Sequence, residues 1–247
     1  GERTFVNSIG AAWHYSPDDL DESFFYSVFV EFGGTALVPV IHDNLTYLLQ
    51  KAKKHGCLTV VNTVYDFRNE QMNPGEKWPL GNHQLSFSNI DLLLMDNEEA
   101  LKISGKQDVD SAAEYFRSLG VTALMITQGR DEVIVWSDGS LFHPSGFYRL
   151  PISDKAVREL AVNNTRKGDT TGCGDNFTGG VLASLARQMH SGKGSYDLKD
   201  LVSWGVASGG YACFYMGGTY IEDQPNEKFR LIEPYVKAYQ EQIRDRF

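Results

Sequence analysis

The chain has 247 residues, 42% of them hydrophobic, and a formal net charge of −9. That charge argues against nucleic acid or an anionic membrane as the main partner, and no apolar run approaches the ~20 residues of a membrane span. The opening residues do not read as a signal peptide. Cys57, Cys173 and Cys213 are odd in number and scattered without metal-ligand spacing, which reads as reduced thiols in a cytoplasmic protein.

Taken in chain order, Leu45, Leu48, Leu49 and Ala52 fall on one helical face, and Leu58-Thr-Val-Val61 reads as a buried strand. Asn69–Asn82 reads as a loop. Asp91-Leu-Leu-Leu-Met95 is a second buried strand, and the acids that follow, Asp96, Glu98 and Glu99, read as an exposed helix start favourable to the dipole. Val109, Ala112, Ala113 and Phe116 mark another helix, closed by Gly120. Val121–Ile126 and Glu132–Trp136 read as strands, with Ser137-Asp-Gly139 as a hairpin turn to Leu141-Phe142. Ser145–Lys167 is a polar excursion. Phe177, Val181 and Leu185 set a helix against a core. A helix of small residues holds Ala207, Ser208 and Gly210. Ile232, Tyr235, Val236, Tyr239 and Ile243 mark a terminal helix with Pro234 near its first turn. Helices between buried strands imply one large α/β domain over residues 1–247, with a mostly parallel central sheet covered on both faces, although the length also allows two domains.

The segment Asp169-Thr-Thr-Gly-Cys-Gly-Asp-Asn-Phe-Thr-Gly-Gly180 carries most of the functional information. Gly172 and Gly174 permit a tight turn, and a helix beginning near Asp175 leaves unpaired amides facing it. That arrangement suits an anion, most naturally a phosphate. Asp175 beside such a pocket is placed to take a proton from an attacking hydroxyl, or else serves only as a helix cap. No Lys-Ser/Thr follows the glycines, so this is not a Walker loop.

Asp169–Asp175 resembles the Asp-Thr-x-Gly-Ala-Gly-Asp motif of the ribokinase family, also called the phosphofructokinase B family of carbohydrate and nucleoside kinases. Gly1-Glu-Arg-Thr-Phe5 is similar to the strand returning from that family's β lid, and Gly10-Ala11 to the turn after it. Asp91–Ala100 is similar to the segment with the Asn-x-x-Glu motif, and Thr127-Gln-Gly129 to the Thr-x-Gly turn that contacts nucleotide. The resemblance implies a ribokinase-like fold with a partial β lid, its remnant at residues 1–12. It implies ATP-dependent phosphorylation of a hydroxyl on a sugar or nucleoside-like substrate. Asp175 is then the base, and the amides of Gly172, Cys173 and Gly174 form the anion hole. Glu99 organises magnesium, with Asp96 in place of the family's Asn. Thr127 and Gly129 approach the nucleotide, and Ala207 and Gly210 border the adenine. Asp169 holds the loop and, with Thr171, can help bind potassium. Arg3, Asp66 and Arg68 are candidates for substrate or phosphate contacts, against the alternative of solvated loop charges.

Three departures stand out. Cys173 replaces the usual alanine, a mild change because that residue contributes its backbone N–H; Asp96 replaces the family's Asn; and the amino-terminal Gly-Gly-x-x-x-Asn segment expected before the lid is not found ahead of Gly1. The last two support a second reading, a non-catalytic nucleotide- or sugar-binding protein on the same scaffold. Lids of this family often pair between subunits, so the resemblance allows a homodimer through the lid, while a truncated lid allows a monomer with an exposed sheet edge.

Overall fold

The computed structural model describes residues 8–162, 168–192, 194–219 and 221–247. The lid strand expected at Gly1–Phe5, and Arg3 with it, lie outside the described residues. The turn expected at Gly10-Ala11 falls in a short 3-10 helix, Gly10–Trp13. The chain divides into two compact units, one ending at Val121 and the other running from Thr122 to Phe247.

In the first unit the elements are β1 (Phe29–Gly33), α1 (Pro39–Asp43), α2 (Leu45–Lys54), β2 (Leu58–Asn62), α3 (Phe67–Met72), β3 (Leu92–Asp96), α4 (Asn97–Ser104) and α5 (Val109–Ser118). β1 pairs parallel with β2, Val30 opposite Thr59, and β2 pairs parallel with β3, Val61 opposite Leu93. Leu92, Leu93, Leu94 and Met95 are all buried, as a parallel strand covered on both faces requires. The helix stripes are where periodicity puts them: Leu45, Leu48, Leu49 and Ala52 of α2 are buried, as are Ala112, Ala113 and Phe116 of α5. The loop expected at Asn69–Asn82 is partly helical, because α3 runs to Met72. β1 was not anticipated from the sequence. Its buried Val30 and Phe32 alternate with more exposed neighbours, so the signal was a period of two inside an aromatic run.

The second unit begins with β4 (Ala123–Thr127) and β5 (Glu132–Ser137), followed by β6 (Phe142–His143), β7 (Gly146–Pro151) and α6 (Asp154–Val162). The remainder is α7 (Cys173–His190), β8 (Tyr196–Asp197), α8 (Leu198–Ala212) and α9 (Glu227–Gln242). Here the pairing is antiparallel: Leu124 of β4 lies opposite Trp136 of β5, and Val135 opposite Tyr148 of β7. The hairpin reading of Ser137–Gly139 therefore needs correction. The strand that returns along β5 is β7, while Phe142 and His143 leave to pair with Tyr196 and Asp197. The supposed polar excursion from Ser145 contains both β7 and α6. Pro234 is likewise interior to α9 rather than in its first turn, and its missing N–H leaves the Arg230 carbonyl without the usual helical partner.

α7 and α8 meet through glycines. A Cβ on Gly180 would lie 2.3 Å from the Trp204 carbonyl oxygen, and one on Gly205 would lie 2.8 Å from Val181 Cγ2 and 2.9 Å from Phe177 Cε2. α9 is tied down by Tyr239, whose hydroxyl donates to the Pro151 carbonyl at 2.6 Å, and by Tyr235, whose hydroxyl donates to Glu159 at 2.5 Å. No helix among the described residues is long and apolar enough to cross a membrane.

Candidate functional site

The start of α7 is a glycine turn leading straight into a long helix. Gly172 is the residue before the helix, at φ +71°, a conformation that L side chains rarely adopt. A Cβ there would also fall 2.5 Å from Gly218 Cα, so glycine is required twice over. Asn176 fixes this approach. Its side-chain amide donates to the Gly172 carbonyl at 2.8 Å and to the Gly218 carbonyl at 2.7 Å. Upstream, Asp169 Oδ1 accepts from the Thr171 amide at 2.9 Å, and the Asp169 amide donates to Tyr215 O at 3.1 Å. Gly168 runs so close to Tyr215 that a Cβ would sit 1.9 Å from its carbonyl oxygen.

The amides divide unequally. That of Cys173 donates to the Thr170 carbonyl at 3.3 Å, a long bond. Those of Gly172, Gly174 and Asp175 have no acceptor among the described residues. The outward-facing set is therefore Gly172, Gly174 and Asp175, with Cys173 already engaged. The Asp175 carboxylate stands in the first turn of this 18-residue helix, exposed, with no hydrogen bond or ion pair among the described residues. A carboxylate held only by its backbone, next to free amides, has both oxygens open to accept a proton.

The carboxyl end of β3 carries the acidic pair. Asp96 caps α4: its Oδ1 accepts from the Glu99 amide at 2.8 Å, while Glu99 Oε2 accepts from the Asp96 amide at 3.1 Å, a reciprocal capping box. The same Oε2 accepts from the Thr63 hydroxyl at 2.6 Å. Glu99 is not the exposed acid that the sequence suggested, since its relative exposure is 8%. Burial first, and the neighbouring Asp96 second, push its pKa from the ordinary 4.5 up to about 7. No Lys or Arg among the described residues pairs with Glu99. Magnesium takes oxygen ligands, commonly one or two carboxylates with several waters, and no larger metal-ligand cluster occurs among the described residues. Two carboxylates, one of them buried with its charge uncompensated, fit such a cation.

The raised pKa has a measurable consequence. Between pH 4.5 and 7 the unfolded chain gives up the Glu99 proton and the folded chain keeps it, so the contribution of Glu99 to stability is full below 4.5 and is lost as pH rises through 7. Glu99→Gln keeps an oxygen for Thr63 and for the Asp96 amide but cannot ionise. In magnesium-free buffer the variant is expected to gain on the parent by up to ~3 kcal/mol from pH 4.5 to 7. Thermal midpoints measured across that range check this, and parallel pH profiles would count against it.

The other expected contacts are distributed as follows. Thr127 ends β4 and begins the turn to β5, in which the Gln128 amide donates to Glu132 O at 2.9 Å. Gly129 is exposed at φ +58° with open space above it. Ala207 is fully buried in a cluster with Ala156, Trp204 and Tyr211, and a Cβ on Gly210 would meet Ala156 Cβ at 3.1 Å. In this structure Ala207 packs within that cluster. Asp66 and Arg68 are not solvated loop charges, since both have partners within the chain. Asp66 is buried and caps α3, accepting from the Asn69 amide at 2.9 Å and its side chain at 2.5 Å. Arg68 forms a two-bond pair with Asp43, at 2.5 and 3.1 Å.

The sequence model of the pfkB family carbohydrate kinase matches residues 1–225. The chain belongs to that family. A cytidine kinase of Thermococcus kodakarensis is 34% identical over 100 residues, which is 40% of this chain and 31% of that protein. An aminoimidazole riboside kinase from Salmonella enterica, solved with aminoimidazole riboside and an ATP analogue, superposes with a TM-score of 0.62 at 18% identity. That match covers 94% of this chain and 70% of the other. A putative ribokinase II from E. coli, in complex with ATP and Mg2+, gives a TM-score of 0.63 at 15% identity over 90% of this chain and 63% of the other. These likenesses establish the ribokinase-like α/β fold. The chain spans about a third of the cytidine kinase's length and roughly two thirds of either kinase structure.

Within this pfkB family chain, residues that sequence reading passed over shape the site. Asn176 and Gly218 hold the glycine turn, Thr63 holds Glu99, and Cys213 lies against Cys173 with its sulfur 3.3 Å away. The hydrogen bond from Cys173 holds the Cys213 thiol pKa down to about 7. Of these features only the Asp96–Glu99 capping box had a local signal, an acid three residues before a glutamate. The contacts of Thr63 with Glu99, Cys173 with Cys213 and Asn176 with Gly218 depend on pairs distant in sequence.

Proposed function

We propose that this chain carries the machinery of an ATP-dependent kinase that transfers the γ-phosphate to a hydroxyl of a sugar or nucleoside-like substrate. The observation that supports it most is the Asp175 carboxylate, exposed and unpartnered in the first turn of α7, beside the free amides of Gly172, Gly174 and its own N–H. Asp175 accepts the hydroxyl proton as the oxygen attacks the γ-phosphorus. The amides, with the positive end of the α7 dipole behind them, stabilise charge on the transferring oxygens. Asp169 keeps the turn in shape through the Thr171 amide. Thr127 and the open Gly129 are assigned to the nucleotide. Asp96 and Glu99 are the residues that would hold magnesium, which when bound neutralises phosphate charge. Such catalysis is mainly positioning and electrostatics, and a preformed turn locked by Asn176 suits it.

The names of the relatives, a cytidine kinase and an aminoimidazole riboside kinase, support a nucleoside-like acceptor. The test is ADP release from Mg-ATP across a panel of sugars and nucleosides. Release stimulated by one class of acceptor is the expected result and names the substrate class. ATP binding with no ADP release for any acceptor would replace the kinase reading with that of a nucleotide-binding protein.

A further inference from the structure

The chain's thiols are unequal. Cys57 is buried, its thiol donating to the carbonyls of Phe25 and Ser27 at 3.1 Å each, and burial pushes its pKa up. Cys173 and Cys213 are both partly exposed, not joined by a disulfide, and 3.3 Å apart between sulfurs. A disulfide requires ~2.0 Å, so the sulfurs need to close by only about 1.3 Å. Apart from chain neighbours and the helix's own backbone, nothing lies within 4 Å of the Cβ position of Gly174, so there is room beside Cys173 for that small movement.

We propose that Cys173 and Cys213 form an oxidisable dithiol, a modification site that hydrogen peroxide closes to an intramolecular disulfide, pinning the first residue of α7 to the end of α8. One thiolate attacks a peroxide oxygen. The O–O bond breaks, water leaves, and the sulfur becomes a sulfenic acid. The second thiol attacks that sulfur, the S–S bond forms, the S–O bond breaks, and a second water carries away the remaining thiol hydrogen. Two electrons pass from the thiol pair to the peroxide. The lowered pKa of Cys213 supplies thiolate at neutral pH. The chemistry does not depend on phosphate transfer, and it goes beyond the function proposed above. Its structural effect falls on the glycine turn, because Cys173 lies between Gly172 and Gly174.

The experiment treats the reduced 247-residue chain with hydrogen peroxide, then maps non-reduced peptides by mass spectrometry and follows amide hydrogen exchange at residues 172–175. The expected result is loss of two hydrogens from the intact mass and a Cys173–Cys213 cross-link reversed by dithiothreitol. Cys57 stays reduced as a marker that the fold is intact, and exchange at the turn slows at least tenfold. Cys213→Ser should abolish the cross-link. If that variant does not fold, the peptide map of the parent chain decides. Stable sulfenic or sulfinic acid on Cys173 with Cys213 still free, or both thiols unreacted while Cys57 remains reduced, would overturn the proposal. A cross-link with unchanged exchange would overturn the pinning.

Discussion

Asp175→Asn is expected to lower turnover by about 10²–10⁴-fold while leaving ATP affinity nearly unchanged. Asparagine has the same shape but cannot accept the proton of an attacking hydroxyl. The fold has little reason to respond, since the Asp175 side chain makes no hydrogen bond or ion pair among the described residues. The one stabilising contribution it loses is charge against the α7 dipole, typically 0.3–1 kcal/mol. Removing that charge should if anything ease the approach of phosphate. Turnover measured under saturating substrate, beside calorimetric ATP titration, separates the cases. An equal fall in ATP affinity would reassign Asp175 to binding, and unchanged turnover would remove it from the chemistry.

Gly180→Ala is expected to cost the chain substantial stability. Two effects oppose each other. Alanine is the better helix former by ~1 kcal/mol in a helix interior. Against that, its Cβ would lie 2.3 Å from the Trp204 carbonyl oxygen and 2.5 Å from Ser208 Oγ. The first of these is backbone and cannot swing aside, so α7 and α8 must separate, and overpacking of this kind typically costs 1–3 kcal/mol or more. The clash wins. A net loss of about 2 kcal/mol lowers the midpoint of a chain this size by roughly 4–8 °C, readable by calorimetry. A midpoint equal to or above that of the parent would show that the seam is looser than its geometry implies.

Much of the fold was legible because it is written locally. The leucines of β3 form a continuous apolar run, and the stripes of α2 and α5 repeat at helical spacing, so burial follows from neighbours in sequence. The glycine turn was legible for the same reason, since Gly172 and Gly174 flank a single residue before an amphipathic helix. What failed was written at a distance. Phe142 looked like the return strand because it follows Gly139 closely, yet it pairs with Tyr196, while β7 hid in a segment of alternating exposure. Arg68 looked free because Asp43, its partner, lies 25 positions away. Glu99 looked exposed because neither its burial nor the Thr63 hydroxyl can be inferred from Asp96–Glu99 alone. The capping box there could have been read, and it favoured a structural reading of the acids without excluding a cation.

One amide group, that of Asn176, joins the glycine turn to a segment 42 positions further along, because it donates one hydrogen to Gly172 and the other to Gly218. Whatever restrains either segment lowers the entropic cost of restraining the other. Linkage makes this reciprocal: an anion that settles on the turn favours the ordered state of residues 217–219, and changes that loosen that stretch weaken the anion by the same free energy. The stretch that follows α8 is in this sense an effector of the glycine turn it adjoins, and Asn176 is the residue through which the two communicate.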